Sequence, residues 1–172
     1  MRTRVAINGF GRIGRNTLRG ILSRGSELEV VAINDLTDPA ALAQLFEYDS
    51  ILGRFPERAS AEGEFLVVGE HRIRALAERD PAALPWAELG VDVVLESTGR
   101  FTSREAASAH LDAGARVVIV TAPAAGADLT VVVGVNDGLL DLSRQRVLSN
   151  ASCTTNCLAT VLRVFQLSLI HI

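Results

Sequence analysis

The chain has 172 residues, 48% of them hydrophobic and 22% charged, with a formal net charge of −3. That length suits one ordinary domain, or one and a fraction. It carries no basic block of the kind that tracks a nucleic-acid backbone and no apolar run long enough to span a membrane. In chain order, Val5-Ala6-Ile7 reads as a short buried strand, and Gly9-Phe10-Gly11-Arg12-Ile13-Gly14 follows at once. Ile13, Thr17, Leu18, Ile21 and Leu22 then recur at helical spacing up to a stop at Gly25. Residues 29–34 read as a second strand. Asp38-Pro39 opens a second helix, with Asp38 as its cap and Pro39 at its first position.

The middle of the chain reads differently. Residues 64–68 and 72–76 form two short strands turning near Gly69, a hairpin inserted into the alternation, and Pro81 and Pro85 interrupt the chain around Trp86. Strands are then expected at 91–95, 117–120, 130–133 and 146–148, with an alanine-rich helix from Ser103 to Asp112 that Gly114 ends. The last helix begins at the cysteine segment. Its apolar face is Cys157, Leu158, Val161, Leu162 and Phe165, which makes Cys157 a core residue. The fold class is α/β: a doubly wound, mostly parallel sheet of Rossmann type with a short inserted hairpin. Aromatic residues make up only 5% of the chain, so valine, alanine and leucine fill the core, as suits parallel strands covered on both faces.

G-x-G-x-x-G gains weight from its setting, with a strand before it and a helix after. Gly9 permits the tight turn, Gly11 lets a pyrophosphate approach the backbone, and Gly14 lets the helix pack against the sheet. The N–H groups at Arg12 and Ile13 would meet the diphosphate, where the helix dipole favours anions. Asp35 ends the second strand about twenty residues beyond the loop, the place of an acid that binds the adenosine ribose. It would repel a 2′-phosphate, so NAD is expected over NADP. The plain alternative is a glycine-rich turn beside a surface aspartate.

Asn150-Ala151-Ser152-Cys153-Thr154-Thr155-Asn156-Cys157 lies between a strand and a helix, which places Cys153 at a helix N-terminus. There the dipole and the unpaired N–H groups favour a thiolate. With a dinucleotide site, such a thiolate suggests attack on an aldehyde, hydride transfer and a thioester that phosphate or water cleaves. Ser152 and Thr154 flank it and can bind an attacking anion, and the N–H of Cys153 could stabilise an oxyanion. No metal is expected, because two cysteines cannot complete a zinc site and His71, His110 and His171 lack ligand spacing. A Cys153–Cys157 disulfide is disfavoured on a helix in a reducing compartment. The N-terminus runs straight from Met1 into a strand without a leader pattern, so the expected location is the cytoplasm.

At these residues the chain resembles the glyceraldehyde-3-phosphate dehydrogenase family. The resemblance rests on residues 6–15, Ile33-Asn34-Asp35, Tyr48-Asp49-Ser50, residues 77–81, Glu96-Ser97-Thr98-Gly99, Thr121-Ala122-Pro123 and residues 149–157. It implies NAD contacts at Gly9, Gly11, Arg12, Ile13, Gly14, Asp35, Arg79, Ser97, Thr98, Gly99, Phe101 and Thr121. Arg79 and Phe101 fall on the adenine side, and Thr121 near the nicotinamide ribose. It implies Cys153 as the nucleophile, with Ser152, Cys153 and Thr154 meeting glyceraldehyde 3-phosphate or inorganic phosphate. Residues 1–150 would then be the NAD-binding Rossmann domain and 151–172 the start of a catalytic domain.

The resemblance also implies features with no match in this chain: a general-base histidine downstream of the cysteine, side chains that grip the substrate phosphates, and a loop that builds a homotetramer. His171 does not fit the histidine's setting. The uncharged end after Arg163 adds to the expectation of a truncated or frame-shifted reading of a longer, glycolytic enzyme. Erythrose-4-phosphate dehydrogenase and a non-catalytic NAD-binding module stay open as alternatives, although Asp35 and Thr121-Ala122-Pro123 look more like the glyceraldehyde-3-phosphate branch.

Overall fold

The computed structural model describes residues 2–169. His171, weighed above as a metal ligand and as a general base, lies outside the described residues. Strand β1 (Thr3–Asn8) leads through the glycine loop into α1 (Arg12–Ser23). Strand β2 (Leu28–Asn34) leads through the Asp38 cap into α2 (Pro39–Glu47). The Asp38 carboxylate accepts from the N–H groups of Ala40 and Ala41, at 2.9 and 3.4 Å, which satisfies donors that a helix start leaves open. Two two-residue strands, β3 (Tyr48–Asp49) and β4 (Gly53–Arg54), make a small ribbon of their own. Then come β5 (Ala59–Glu62), β6 (Phe65–Val68) and β7 (His71–Leu76).

The second half adds β8 (Val93–Glu96), α3 (Arg104–Asp112), β9 (Val117–Val120), β10 (Leu129–Thr130), β11 (Val147–Ser149) and α4 (Cys153–Leu169). The eleven strands among the described residues divide into the small ribbon and a nine-stranded sheet of order β10-β11-β9-β8-β1-β2-β7-β6-β5. Pairing is parallel from β10 to β7 and antiparallel from β7 to β5.

Alternation along β1 explains the two-faced core. Val5 and Ile7 join Leu18, Ile33, Leu42 and Phe46 under α1 and α2, whereas Ala6 joins Ala32, Trp86 and Val94 on the other face. A third cluster, Ala107, Val118, Val120 and Val147, lies beneath α3. Because β1 sits between β2 and β8, the chain reverses its direction of winding there, and a crevice opens at the carboxyl ends of these strands. Register sets the floor of that crevice. Leu76, Asn34, Asn8, Glu96, Val120 and Ser149 form one row across six parallel strands.

The inserted hairpin is there as β6 and β7; β5 pairs with β6 as a third antiparallel strand, and β7 also joins the parallel sheet beside β2. Two other expectations need correcting. The strand expected at 130–133 is only Leu129–Thr130. The Asn136 side chain accepts from the Val132 N–H at 2.8 Å and donates to the Thr130 carbonyl at 2.9 Å, which turns the chain away. The apolar face assigned to the last helix is not buried. No residue of α4 is buried, Leu158 and Leu162 are more than half exposed, and Cys157 is an exposed free thiol rather than a core residue. Nothing among the described residues packs over that face. No helix there is long and apolar enough to cross a membrane.

Candidate functional site

Each glycine of the loop has a distinct mechanical reason. Gly9 turns with φ +89°, and a Cβ there would lie 2.6 Å from the Thr98 nitrogen. A Cβ on Gly14 would lie 2.3 Å from the Gly9 carbonyl oxygen, so only glycine lets α1 cross this close to the loop. Gly11 is different. A Cβ there would meet nothing within 4 Å, so what the bare Cα faces is open space. Gly11 is also the N-cap of α1 and supplies no side-chain acceptor to the first turn. The start of α1 is therefore an anion-seeking surface without a side-chain lid.

That open side belongs to a cavity of about 310 Å³ lined by Asn8, Gly9, Gly11, Asn34, Asp35, Leu36, Glu78, Arg79, Ser97, Thr98, Arg100 and Phe101. Asp35 follows directly on β2, with both carboxylate oxygens engaged: Oδ2 accepts from the Phe10 N–H at 2.8 Å and Oδ1 from the Thr37 N–H at 3.0 Å. The acid thus ties the glycine loop to the end of β2. Each oxygen keeps a lone pair that can take a hydroxyl, as a ribose would require. Glu78 Oε1 accepts from the N–H groups of Arg79 and Asp80, at 2.7 and 3.0 Å, and this turn presents the exposed Arg79 at the rim. A glycine cradle open to the cavity, a bare helix start and a paired acid fit a dinucleotide.

Beneath the cavity lies a polar network that the sequence reading missed. Glu96, 1% exposed, ends β8. Its Oε2 accepts from Asn8 Nδ2 at 2.6 Å and from His110 Nε2 at 3.0 Å, and its Oε1 accepts from the Thr98 N–H at 2.8 Å and from the Thr98 hydroxyl. Trp86 Nε1 donates to His110 Nδ1 at 3.0 Å, which assigns the proton of a neutral ring to Nε2. Asn34 Nδ2 donates to Asn8 Oδ1 at 2.7 Å and to the Glu78 carbonyl at 2.8 Å, while its Oδ1 accepts from the Glu78 N–H at 2.8 Å. The Phe101 ring meets His110 edge-on, with centroids 6.3 Å apart. A signal for this network was in the sequence. Glu96 closes an apolar strand, and His110 shares a helix face with the buried Ala107 three residues earlier.

Cys153 is the first residue of α4 and is exposed. Before it, Ala151 adopts φ 58°, a left-handed conformation that costs a non-glycine residue about 1–2 kcal/mol. The bend is held from both sides. The Ser149 hydroxyl donates to the Ala122 carbonyl at 2.8 Å and accepts from the Ala151 N–H at 3.1 Å. Asn156 Nδ2 donates to the carbonyls of Asn150 and Ser152 at 2.8 and 2.9 Å. Ser152 caps the helix, its Oγ accepting from the Thr155 N–H at 3.0 Å and sharing protons with the hydroxyls of Thr154 and Thr155. The cap therefore leaves the N–H of Cys153 itself free of Ser152.

Of the residues singled out from sequence, Gly9, Gly11, Asp35, Arg79, Ser97, Thr98 and Phe101 line one cavity. Arg12, Ile13, Gly14, Gly99 and Thr121 do not line it. Arg12 and Ile13 stand exposed at the start of α1, and Gly14 is buried behind the loop. The Thr121 hydroxyl is turned to the Glu96 carbonyl and the Ser97 hydroxyl, at 3.2 and 3.3 Å. Ser152 lines a separate shallow hollow with Thr102, Pro123, Ala151 and Thr155, while neither Cys153 nor Thr154 lines either. Among the described residues no group of three or more histidine, cysteine, aspartate or glutamate side chains is placed to hold a metal ion.

Comparison with known proteins meets this geometry. The family described as "Glyceraldehyde 3-phosphate dehydrogenase, NAD binding domain" matches residues 3–104. Glyceraldehyde-3-phosphate dehydrogenase 1 of Streptomyces arenae is 58% identical over 166 residues, covering 96% of this chain and 50% of its own. The glyceraldehyde-3-phosphate dehydrogenase of Kitasatospora aureofaciens is 60% identical over 164 residues, covering 95% and 49%. That of Mycobacterium avium is 57% identical over 172 residues, covering 96% and 50%. The chain spans about half the length of these curated relatives.

Proposed function

Because the chain belongs to the glyceraldehyde-3-phosphate dehydrogenase family, through its NAD-binding domain, we propose that the whole protein oxidises glyceraldehyde 3-phosphate with NAD and inorganic phosphate. In this reading residues 1–150 hold the cofactor and Cys153 opens the catalytic part. The observation that carries it is the register of the sheet. The cavity lies over Asn34 and Asn8, and the strand that feeds Cys153 ends at Ser149 in the same row. From Asn8 to Ser149 is three strand spacings of about 4.8 Å. That distance suits a dinucleotide with its adenosine at Asp35 and its nicotinamide toward the cysteine.

The chemistry then falls to named atoms. Asp35 takes the adenosine ribose hydroxyls, and the N–H groups at the start of α1 take the diphosphate. NAD, when bound, supplies the hydride acceptor. The Cys153 sulfur bonds to the aldehyde carbon, the carbonyl oxygen takes the negative charge, and the N–H of Cys153 is placed at a helix start to stabilise it. Oxidation leaves a thioester on Cys153. Inorganic phosphate breaks the carbon–sulfur bond and releases an acyl phosphate and the thiolate. Ser152 and Thr154 offer hydroxyls to that anion. A homotetramer in the cytoplasm belongs to the same reading.

Assays on the chain alone and on the chain joined to the C-terminal half of the Streptomyces arenae relative test this. The chain alone should bind NAD weakly and form no NADH. The joined protein should form NADH only with phosphate present, faster with glyceraldehyde 3-phosphate than with erythrose 4-phosphate, and lose that activity on Cys153→Ser. A folded joined protein that keeps its turnover after Cys153→Ser would defeat the assignment.

A further inference from the structure

We infer that Glu96 is the positioning residue of the cofactor cleft. It sits beneath the cavity and ties its two walls to one buried carboxylate. This inference rests on NAD occupying the cavity described above.

Its two oxygens face different parts of the molecule. Oε1 holds the Thr98 N–H and hydroxyl, and Thr98 is one wall of the cavity. Oε2 holds Asn8 and His110. From Asn8 the chain of hydrogen bonds runs through Asn34 to the N–H and carbonyl of Glu78, which form the opposite wall and carry Arg79. A buried carboxylate without a cation persists only when its lone pairs are filled. Here all four partners donate, and on the Oε2 side both are locked in direction. His110 cannot turn its proton to Nδ1, because Trp86 Nε1 already donates there at 3.0 Å. Asn8 cannot flip its amide, because its Oδ1 accepts from Asn34 at 2.7 Å.

Glu96→Gln has nearly the same shape but carries an amide NH₂ that must oppose either the Thr98 donors or the Asn8 and His110 donors. On the Thr98 side the hydroxyl can turn to accept but the backbone N–H cannot, and on the other side neither donor can turn, so one wall is released. The full chain, its Glu96→Gln form and its His110→Gln form would be titrated with NAD and melted in parallel. The backbone N–H resonances of Thr98 and Glu78 would be followed by NMR in the unliganded proteins. The expected result for Glu96→Gln is about tenfold weaker NAD binding with a cooperative melt. The Thr98 and Glu78 resonances should both move, although Glu78 makes no contact with the substituted side chain. His110→Gln removes one donor from the carboxylate and should weaken binding by about threefold, so it decides the matter if Glu96→Gln does not fold. A folded variant that binds NAD as the unsubstituted chain does, or in which the Glu78 resonance stays put, overturns the inference. Failure of the unsubstituted chain to bind NAD would instead count against the cofactor assignment.

Discussion

At the scale of single residues, the last two glycines of the loop answer to different forces, and substitution separates them. Gly11 has an ordinary φ of −70°, and its missing Cβ faces open space. Gly14 is shut in by the Gly9 carbonyl at 2.3 Å and by Ile7 Cγ2 at 3.0 Å. Gly11→Ala should therefore lower the melting temperature by only about 2 °C, the cost of replacing glycine at an N-cap, and still weaken NAD binding at least tenfold, because the methyl group occupies the cradle. Gly14→Ala should cost about 2 kcal/mol through overpacking against backbone, lowering the melting temperature by about 5 °C. Calorimetry and NAD titration of both variants check this, and equal melting temperatures would defeat it. Asp35 shows a related division of labour. Sequence spacing finds the acid, yet its carboxylate is also the latch that holds the Phe10 N–H and fixes the loop.

Among elements, α4 stands apart. Every buried residue of the sheet and of the other helices is held from at least one side, whereas α4 buries none of its residues. What fixes it is its first turn: the Ser152 cap, the Asn156 amide and the Ala151 bend. Most helical stability in proteins comes from tertiary packing of an apolar face, which α4 lacks. Hydrogen exchange should thus find the α4 amides beyond Cys157 the least protected of any helix, while those of β1 and β8, at the sheet centre, exchange last. Equal protection in α4 and α3 would contradict that picture. The same contrast explains what could be read from the sequence. Strands β1, β2, β8 and β9, the Asp38 cap and the glycine loop follow from local patterns that agree with the fold. Strand β5 could not be read so, since Ala59-Ser60-Ala61-Glu62 has little strand character. It is a strand because β6 pairs with it, α2 packs on it, and the Glu47 carboxylate takes the Ala59 N–H at 2.9 Å. The α4 stripe has the helical period of a core face, but a period reports amphipathicity and says nothing of whether a partner is present. The Glu96 network escaped because its members come from separate elements: register brings Asn8, Asn34 and Glu96 together, and the packing of α3 adds His110.

Over the whole molecule, the carboxylates act as stitches between elements distant in sequence, and they set how the fold responds to acid. Asp92, just before β8, accepts from the Arg4 N–H of β1 at 3.0 Å and from the Arg116 side chain at 3.3 Å. The Arg4 N–H, then Arg116, outweigh partial burial and hold the Asp92 carboxyl below its ordinary pKa. Asp128 joins α3 to the β10–β11 edge, accepting from Arg104 Nε at 2.7 Å and from the N–H groups of Arg146 and Val147 at 2.8 and 2.9 Å. Burial pushes the Asp128 carboxyl up, but Arg104 and those two N–H groups more than offset it, and its pKa is also lowered. Both groups are depressed in the folded state, so the unfolded chain takes up their protons first as pH falls. Their stabilisation is complete above the unfolded aspartate value of about 3.9 and is lost as pH drops through the lower folded values. Urea midpoints should therefore stay level from about pH 7 to about pH 5 and fall steeply below about pH 4. Asp92→Asn with Asp128→Asn should lower the midpoint at neutral pH and flatten the fall in acid, since the substituted side chains no longer titrate. A double variant whose midpoint declines in acid as steeply as that of the unsubstituted chain would mean that other carboxylates govern acid unfolding.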